Sequence, residues 1–388
     1  MINTLLLSLG LSSFAALVLV PLGYSILLSF FLDEARGKGG KFISEISVII
    51  PAYNEKQLIS GKIQNTLEID FPSDFEIIVV DDASTDNTAQ VVEDSFHDAG
   101  LRLIKKRRRE GKASAIMDAV KAAKYDLVLL TDSDAVLEKD SIQQLLEKFD
   151  DTVGAVTGRI IVDNEKENFV TGIESSMWRY GSLVCRAESN LNSLPRVFGP
   201  LTLIRSGLVD IPKDTLLDDM ELGLVVREKG LKSVYAPEAK AHIRVPQTLG
   251  DQAKLRSRYF KGYVQLIKRH RNLMFNTDQG FFGFITLFRH VLFEVFSPLL
   301  IAVVTLSFIM LSLIEAPIFI FYLLLMYILM GLSIFFMGFT LFIRRKRLKE
   351  ALSDSLNMVF FVFSLQFYRV YSFVHRKKPA WDRLESTR

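Results

Sequence analysis

The chain has 388 residues, of which 49% are hydrophobic and 23% are charged, and its formal net charge at pH 7 is +3. This length is enough for one catalytic domain plus further segments, and a mean hydropathy of +0.24 is high for a soluble enzyme. The high hydropathy indicates a membrane protein. The small net charge gives no indication of a nucleic-acid partner, so we expect no binding of nucleic acid.

The first segment of the chain is uncharged. Residues 1–32 contain no charged side chain, and Asp33 is the first. The run is longer than the roughly 20 residues that a helix needs to cross a bilayer. A cleaved signal peptide is the alternative, but the run is too long for one and lacks a positively charged start. We therefore predict an N-terminal transmembrane helix at 1–32 and a linker at 33–44.

A soluble domain follows at 45–275, in which strand and helix patterns alternate. Short apolar runs without polar alternation are typical of strands covered on both faces of a parallel sheet. Such runs occur at 46–50, 76–80, 101–104 and 126–130. Helical apolar stripes lie between them, for example at Ile59, Ile63 and Leu67. This order predicts an α/β fold with an open, mostly parallel sheet and helices on both faces.

Polar motifs follow the first, second and fourth of these strands, at 51–55, 81–85 and 132–134. The carboxyl ends of parallel strands meet at one rim, where open α/β sheets bind ligands. Strand alternation points Asp132 and Asp134 the same way, and paired carboxylates suit Mg²⁺ or Mn²⁺. The alternative to a metal site is a solvated surface turn, because an Asp-x-Asp motif alone is weak evidence for metal binding. No Gly-x-Gly-x-x-Gly follows a strand, so a dinucleotide site is not indicated.

Two further clusters begin helical patterns. Lys112 follows Gly111, where helix amides and an ammonium group can meet a phosphate, although a plain surface lysine fits almost as well. Asp218 and Asp219 begin another helical pattern. They are either caps that stabilise the helix dipole or a general base that accepts a proton from an attacking hydroxyl.

A basic and aromatic cluster precedes the hydrophobic C-terminal part. It contains Arg256, Arg258 and Tyr259. Guanidinium groups stabilise a leaving diphosphate through paired hydrogen bonds. A solvated basic turn near the membrane is the alternative interpretation.

The C-terminal part is predicted to return to the membrane. Residues 276–294 form an amphipathic interface segment, for which a packing helix beside the membrane is the alternative. Two uncharged runs predict two transmembrane helices at 295–343. Residues 344–388 are predicted to hold a basic loop, an interfacial or re-entrant helix and a cytoplasmic tail.

The distribution of charge predicts the orientation. Lys38 and Lys41 follow the first span, and four basic residues at 344–347 follow the last. Positive residues favour the cytoplasmic side, so we expect an integral cell-membrane protein with a cytoplasmic catalytic domain. The single Cys185 cannot form an intrachain disulfide, which agrees with a reducing compartment.

The motifs, in their order along residues 44–300, resemble those of membrane-embedded family 2 glycosyltransferases with the GT-A fold. The subgroup that this chain looks most like makes poly-N-acetylglucosamine, hyaluronan, chitin or cellulose. The matching blocks are Pro-Ala-Tyr-Asn-Glu at 51–55, Asp-Asp at 81–82, Gly-Lys-Ala at 111–113, Asp-Ser-Asp at 132–134, the turn at 198–205 and Asp-Asp at 218–219.

The resemblance implies roles for individual residues. Asp134, helped by Asp132, would hold the divalent ion, and Asp219 beside Asp218 would be the catalytic base. Donor binding would involve a larger set: Pro51, Ala52, Tyr53, Glu55, Asp82, Lys112, Asp132, Ser133, Arg256, Arg258 and Tyr259.

The resemblance also implies the reaction. A sugar, N-acetylglucosamine or glucose, would pass from a UDP-sugar to an acceptor hydroxyl at the membrane, with inversion at C1 and dependence on Mn²⁺ or Mg²⁺. Attack from the face opposite the leaving group needs no enzyme nucleophile, as in inverting glycosidases. The acceptor would be a growing polysaccharide or a lipid.

One motif departs from the pattern of the processive enzymes, which carry Gln-x-x-Arg-Trp. Here Leu255 stands in place of Gln, Arg258 is kept, and Tyr259 replaces Trp. Tyr259 can still stack on a ring, but Leu255 cannot donate a hydrogen bond, and this puts processivity in doubt. With about three spans, a translocation channel would be incomplete or would need a homo-oligomer.

Three alternative functions remain. They are transfer of a single sugar to a lipid such as a polyprenyl phosphate, nucleotidyl transfer, and a non-catalytic role as a membrane scaffold.

Overall fold

The computed structural model describes residues 1–33, 44–71, 73–96 and 100–374, the side chains of 370–374 excepted. The predicted linker lies almost entirely outside the described residues, as do Lys38, Lys41 and the tail from 375 onward. Residues 1–33 contain helix α1 at Ile2–Ser29, and the soluble domain begins with strand β1 at Ile46–Ala52.

One mixed sheet forms the centre of the soluble domain. Its other strands are β2 Phe75–Asp81, β3 Arg102–Lys105, β4 Leu127–Leu130, β5 Val136–Leu137, β6 Val153–Val162, β7 Thr202–Arg205 and β8 Lys232–Ile243. Their order is β3-β2-β1-β4-β7-β6-β8-β5. The first four strands are parallel, β7 is antiparallel to β4 and to β6, β8 is parallel to β6, and β5 is antiparallel to β8. The four predicted strands and the mostly parallel α/β sheet are confirmed.

Helices cover both faces of this sheet. They are α2 Ile59–Leu67, α3 Thr88–Phe96, α4 Lys112–Ala122, α5 Ser141–Leu146, α6 Phe169–Leu191, α7 Asp218–Glu228 and α8 Leu249–Arg269. Alternation along β1 sends Val48 and Ile50 into a core shared with α2 and α5, whereas Ile49 packs with α4 and α7. All three side chains are fully buried, and each such burial contributes about 1.5–3 kcal/mol.

Among the described residues, three helices are long and apolar enough to cross a membrane: Ile2–Ser29, Phe282–Ile314 and Ile318–Phe342. The second contains α9 at Phe288–Val291 and α10 at Ser297–Ile314, and the third is α11. Helix α1 packs against α10 and α11. The side chain of Asn3 donates a hydrogen bond to Glu315 in the turn between them, so the N-terminus and this turn lie at the same end of the bundle.

The predicted interface segment is continuous with the second span. Residues 282–314 form one helix, with π-helical stretches at Phe282–Leu287 and Leu292–Phe296. The second stretch directly precedes Pro298, which has no N–H to donate to a regular helix. The wider turn accommodates this proline without ending the helix.

A long amphipathic helix, α12 at Leu348–Val374, joins the two parts of the molecule. It packs against α11 on one side and against α6 and α8 on the other. Asp354 near its start forms ion pairs with Arg179 of α6 and with Lys346. The apolar residues of α12 form part of the wall of a cavity that lies between the soluble domain and the membrane helices.

Candidate active site

A cavity of about 820 Å³ extends from the carboxyl rim of the sheet to the membrane helices. Pro51, at the end of β1, and the acidic motif after β4 line its sheet end, and residues of α11 and α12 line its far end. The walls between are built from α6 and α8. Of the residues implied by the motifs, the following line this cavity: Pro51, Glu55, Lys112, Asp132, Ser133, Asp134, Asp218, Arg256, Arg258 and Tyr259.

Lys112 is the centre of the acidic site. Its Nζ lies 2.7 Å from Oδ1 of Asp132 and 3.2 Å from Oδ2 of Asp218. Burial opposes the charged form, but the carboxylates of Asp132 and Asp218 raise the pKa of Lys112. This ammonium group therefore stays protonated and links the motif after β4 to the start of α7.

Two glycines let the backbone fit this site. Gly111 precedes α4 with φ of 93°, a conformation that side chains disfavour. Gly199 lies so close to the site that an added Cβ would be 3.0 Å from Nζ of Lys112 and 3.2 Å from Oδ2 of Asp132. The absence of a side chain at residue 199 leaves room for both charged groups.

Asp134 is reached by solvent, whereas Ser133 is buried and Asp132 half-buried. Desolvation in the cavity and, next, the negative charge of Asp132 raise the pKa of Asp134 to about 6. Lys112 and Lys62 act in the opposite direction.

Lys62 is a residue of this site that the sequence analysis missed. Its side chain, on α2, is buried, and Nζ donates hydrogen bonds of 2.7 Å to Oγ1 of Thr131 and to the carbonyl oxygen of Ala135. Burial lowers the pKa of Lys62 to about 7, against the effect of Asp132 and Asp134. Its position inside the apolar stripe of Ile59 and Ile63 was the available signal, because a lysine on a buried helix face needs polar partners.

The two carboxylates at the start of α7 have different surroundings. Asp219 accepts a 2.8 Å hydrogen bond from Nε of Arg196 and a 2.9 Å bond from the amide of Met220. Asp218 faces Lys112. Burial works against ionisation of Asp218, but Lys112 and Arg258 lower its pKa.

Asp219 does not line the large cavity. With Asp132, Asp218 and Lys112 it lines a smaller space beside it. The predicted base and the predicted metal motif are therefore close neighbours. Arg196, which the sequence analysis also missed, lines the large cavity and orients Asp219 from that side.

The loops after β1 and β2 are bonded to each other. The amide of Thr85 donates to Oδ1 of Asn54 at 2.8 Å, and the amide of Glu55 donates to Oγ1 of Thr88, also at 2.8 Å. The ring of Tyr53 is stacked under the guanidinium group of Arg109, 4.0 Å from the ring centroid.

Asp82 and Ala52 lie away from both spaces. Asp82 is fully buried and accepts hydrogen bonds of 2.9 and 2.7 Å from the amides of Glu110 and Gly111, so in this structure it holds the loop that precedes α4. Ala52 is buried in the core beside β2. Their assignment to the donor nucleotide stays a prediction.

The basic cluster lies on helix α8, so Arg256 and Arg258 point in different directions. Arg256 pairs with Glu174 of α6, and its guanidinium group lies 4.7 Å from the ring centroid of Phe361. Arg258 acts on Asp218 and lies near the ring of Tyr259. Of the two, Arg258 is therefore the one beside the acidic site.

The donor atoms present suit a divalent ion that also binds substrate. Within the described residues no group of three or more His, Cys, Asp or Glu side chains forms a metal site. Asp132 and Asp134 supply two carboxylates at the cavity. Mg²⁺ is commonly held by one or two carboxylates, with substrate phosphates and water completing the shell, so this pair fits such an ion.

Comparison with known proteins agrees with this geometry. Residues 47–207 match the family described as glycosyl transferase family 2. The poly-beta-1,6-N-acetyl-D-glucosamine synthase of Staphylococcus aureus (strain COL) is 28% identical over 247 residues, covering 61% of this chain and 57% of that protein. The synthase of the same name from Staphylococcus epidermidis is 27% identical over 236 residues, covering 58% and 56%. The chain thus matches little more than half the length of these relatives.

A solved structure shows a similar fold. The mannosyltransferase PcManGT from Pyrobaculum calidifontis, in complex with GDP-Man and Mn²⁺, superposes with a TM-score of 0.68 at 20% sequence identity. The match covers 96% of this chain and 99% of that chain. The expected GT-A fold, flanked by membrane helices, is confirmed.

Proposed function

We propose, from the match of residues 47–207 to glycosyl transferase family 2, that the protein transfers a sugar from a UDP-sugar to an acceptor hydroxyl at the membrane. The observation that carries the proposal is the meeting of Asp132, Asp134, Lys112 and Asp218 at one cavity that reaches the membrane helices. The donor sugar is N-acetylglucosamine or glucose, the sugars that the motif resemblance favours. The catalytic domain faces the cytoplasm, which the basic loop at 344–347 supports.

The donor diphosphate is bound at the sheet end of the cavity. Asp134, with Asp132, would hold Mn²⁺ or Mg²⁺, which would neutralise charge on the leaving diphosphate. Lys112 at the N-terminus of α4 and Arg258 on α8 contribute positive charge at the same end. Lys62 fixes the backbone on both sides of the acidic motif through Thr131 and Ala135.

The acceptor is activated by Asp219. An ionised carboxylate has about four acceptor positions, so Asp219 can bind Arg196 and still receive a proton. As the proton moves to Asp219, the acceptor oxygen bonds to C1 from the face opposite the diphosphate. The bond between C1 and the diphosphate oxygen breaks, its electrons leave with UDP, and the configuration at C1 is inverted.

Replacement of the proposed base tests this mechanism. We expect Asp219→Asn to lower the rate of UDP release at least about 100-fold, the usual contribution of general base catalysis, while affinity for the UDP-sugar is kept. The measurement is UDP release by the purified protein in lipid nanodiscs, screened over a panel of UDP-sugars, with donor binding by calorimetry. Asp218→Asn is the matched variant, because Asp218 pairs with Lys112. If only Asp218→Asn abolishes turnover, the base role belongs to Asp218.

The acceptor that the cavity favours is a membrane lipid. Its far end is lined by apolar residues of α11 and α12, among them Met337, Met358 and Phe361, which offer no partner to the hydroxyls of a polysaccharide. A polysaccharide is the second candidate, since the curated relatives are named as synthases of a polymer. Product size on a gel distinguishes the two, because a lipid acceptor gives a product of fixed length.

A further inference from the structure

Arg289 is a buried cation that faces the cavity and forms no ion pair within the described part of the chain. It is only 6% exposed and lines the cavity wall. Its Nε has no hydrogen-bond partner, and the hydroxyl of Tyr180 is its polar neighbour. The guanidinium group lies 5.2 Å from the ring centroid of Tyr24 and 5.3 Å from that of Phe293. Its positive charge is therefore stabilised by aromatic faces and by the more distant negative charges of Glu188 and Glu294.

The nearby carboxylates are engaged elsewhere. Glu188 accepts a 2.6 Å hydrogen bond from the hydroxyl of Tyr24 and lies 3.1 Å from Nε2 of His290. Glu294 pairs with Arg369, itself almost fully buried. Both carboxylates act on Arg289 at longer range, but neither forms an ion pair with it within the described residues. A buried charge without a direct ion pair is costly, and an anion entering the cavity would relieve that cost. Guanidinium groups bind phosphate through paired, charge-assisted hydrogen bonds.

The surface beside Arg289 is apolar, and Arg289 belongs to a helix that is apolar enough to cross a membrane. Arg289 is seven residues into the helix that begins at Phe282, which is about 10 Å along its axis at 1.5 Å per residue. Across the cavity the wall is formed by Met358, Val362 and Leu365 of α12, which are buried. A buried ionisable residue in a helix of this kind commonly marks a binding site.

We propose that Arg289 binds the phosphate of an anionic membrane lipid whose chains lie against α11 and α12, and that this lipid is the sugar acceptor. The inference rests on the proposed function for the acceptor role, but the binding of the lipid does not depend on it. The cavity that contains Arg289 also contains Asp132 and Asp218. A headgroup held by its phosphate can therefore extend a hydroxyl towards the acidic site, where Asp219 lines the adjoining smaller space.

Lipid retention in native mass spectrometry tests the site directly. Full-length protein is purified from nanodiscs of phosphatidylcholine with or without phosphatidylglycerol, and bound lipids are counted. We expect Arg289→Gln to lower the affinity for phosphatidylglycerol about tenfold or more, the scale of one lost charge-assisted contact, and Arg289→Lys to restore part of it. Arg344→Gln is the control. Arg344 is exposed just beyond the C-terminal end of α11, and its replacement by Gln removes the same charge.

Each outcome has a separate meaning. Equal retention of phosphatidylglycerol by the Arg289→Gln and Arg344→Gln proteins would overturn the proposal, as would equal retention of phosphatidylcholine by the unsubstituted protein. Displacement of the lipid by millimolar inorganic phosphate would show a free-anion site and would also overturn it. UDP binding by the Arg289→Gln protein verifies that it is folded. If no UDP-sugar is turned over, the proposed function fails while the lipid counts still decide the binding site.

Discussion

At the scale of single residues, Gly199 controls how closely the loop before β7 approaches the acidic site. The loop lies against Lys112 and Asp132, and an added Cβ would fall within 3.0 Å of the ammonium nitrogen. Lys112 links Asp132 to Asp218, so any shift of its side chain changes the distance between the metal motif and the proposed base.

Gly199→Ala is therefore expected to lower activity without unfolding the protein. The added methyl group must displace Lys112 or Asp132, and a misplacement of about 1 Å can cost about 100-fold in rate. UDP release and the thermal unfolding midpoint are the measurements. Gly207→Ala is the matched control, because nothing lies within 4 Å of a Cβ at that position. Equal activity of both variants would mean that the loop is free to move away.

The residues of this site differ in how visible they are in the sequence. Asp132 and Asp134 were predictable because they directly follow an apolar run. The apolar stripe around Lys62 signals a buried lysine, but the partners of Lys62 and Arg196 were not predictable, since Thr131 and Asp219 lie 69 and 23 residues away in the chain. Local patterns reveal strands and the motifs at their ends, whereas pairing between distant side chains is decided only by packing.

At the scale of elements, a buried histidine fixes α7 to the end of α8. The side chain of His270 lies between Glu221 and Glu228, with its ring nitrogens 3.1 and 3.0 Å from their carboxylates. Arg269 pairs with Glu221 as well. Because α7 begins with Asp218 and Asp219, this contact helps to fix the position of these two carboxylates at the start of the helix.

The contact makes stability depend on pH. Burial opposes protonation, but Glu221 and Glu228 raise the pKa of His270 above its usual value. A pKa raised by folding adds stability that is complete below the unfolded value of about 6.5 and is lost as the pH rises through the folded value. We expect the stability gap between the unsubstituted protein and His270→Gln to be largest near pH 6 and to shrink towards pH 9, measured by thermal unfolding.

His242→Gln provides the comparison for this experiment. Asp163 and Glu138 also raise the pKa of His242 against the effect of burial, but its side chain is 28% exposed, so solvent screens the interaction. Its pH effect should have the same sign and a smaller size. A gap for His270→Gln that does not vary with pH would remove the histidine from this role.

Not every element was predictable from hydropathy. The four parallel strands and the helix starting at Asp218 were predictable, because the strands are short continuous apolar runs and the helix follows a helical pattern. The second span was expected to begin near 295 because Arg289 and Glu294 are charged, whereas the structure continues its helix back to Phe282. Charged residues in a helix are usually taken to mark its exit from the membrane. The burial of Arg289 and the pairing of Glu294 with Arg369 are visible only in three dimensions.

At the scale of the whole molecule, the soluble domain and the turn between α10 and α11 lie at opposite ends of the membrane helices. The contact between Asn3 and Glu315 places the N-terminus at the same end as that turn. If the basic loop at 344–347 is cytoplasmic, the catalytic domain is cytoplasmic and both Asn3 and Glu315 face outward.

Cysteine labelling tests this arrangement. In a Cys185→Ser background, Lys56→Cys and Glu315→Cys each add one exposed thiol. We expect a membrane-impermeant maleimide to label Glu315→Cys in intact cells and Lys56→Cys only after the membrane is opened. The reverse pattern would mean that the protein has the opposite orientation in the membrane. Labelling of both thiols in intact cells would contradict a bundle that spans the membrane.

The ion pairs of Lys112 have a consequence for how substrates assemble. Lys112 serves as an internal counter-ion for Asp132 and Asp218, so a divalent cation that binds Asp132 competes with it. The released ammonium group then favours an incoming phosphate. Thermodynamic linkage makes such an effect reciprocal, so cation and nucleotide should each increase the affinity for the other. The resting protein would therefore bind either one weakly, and the complete donor complex would form cooperatively.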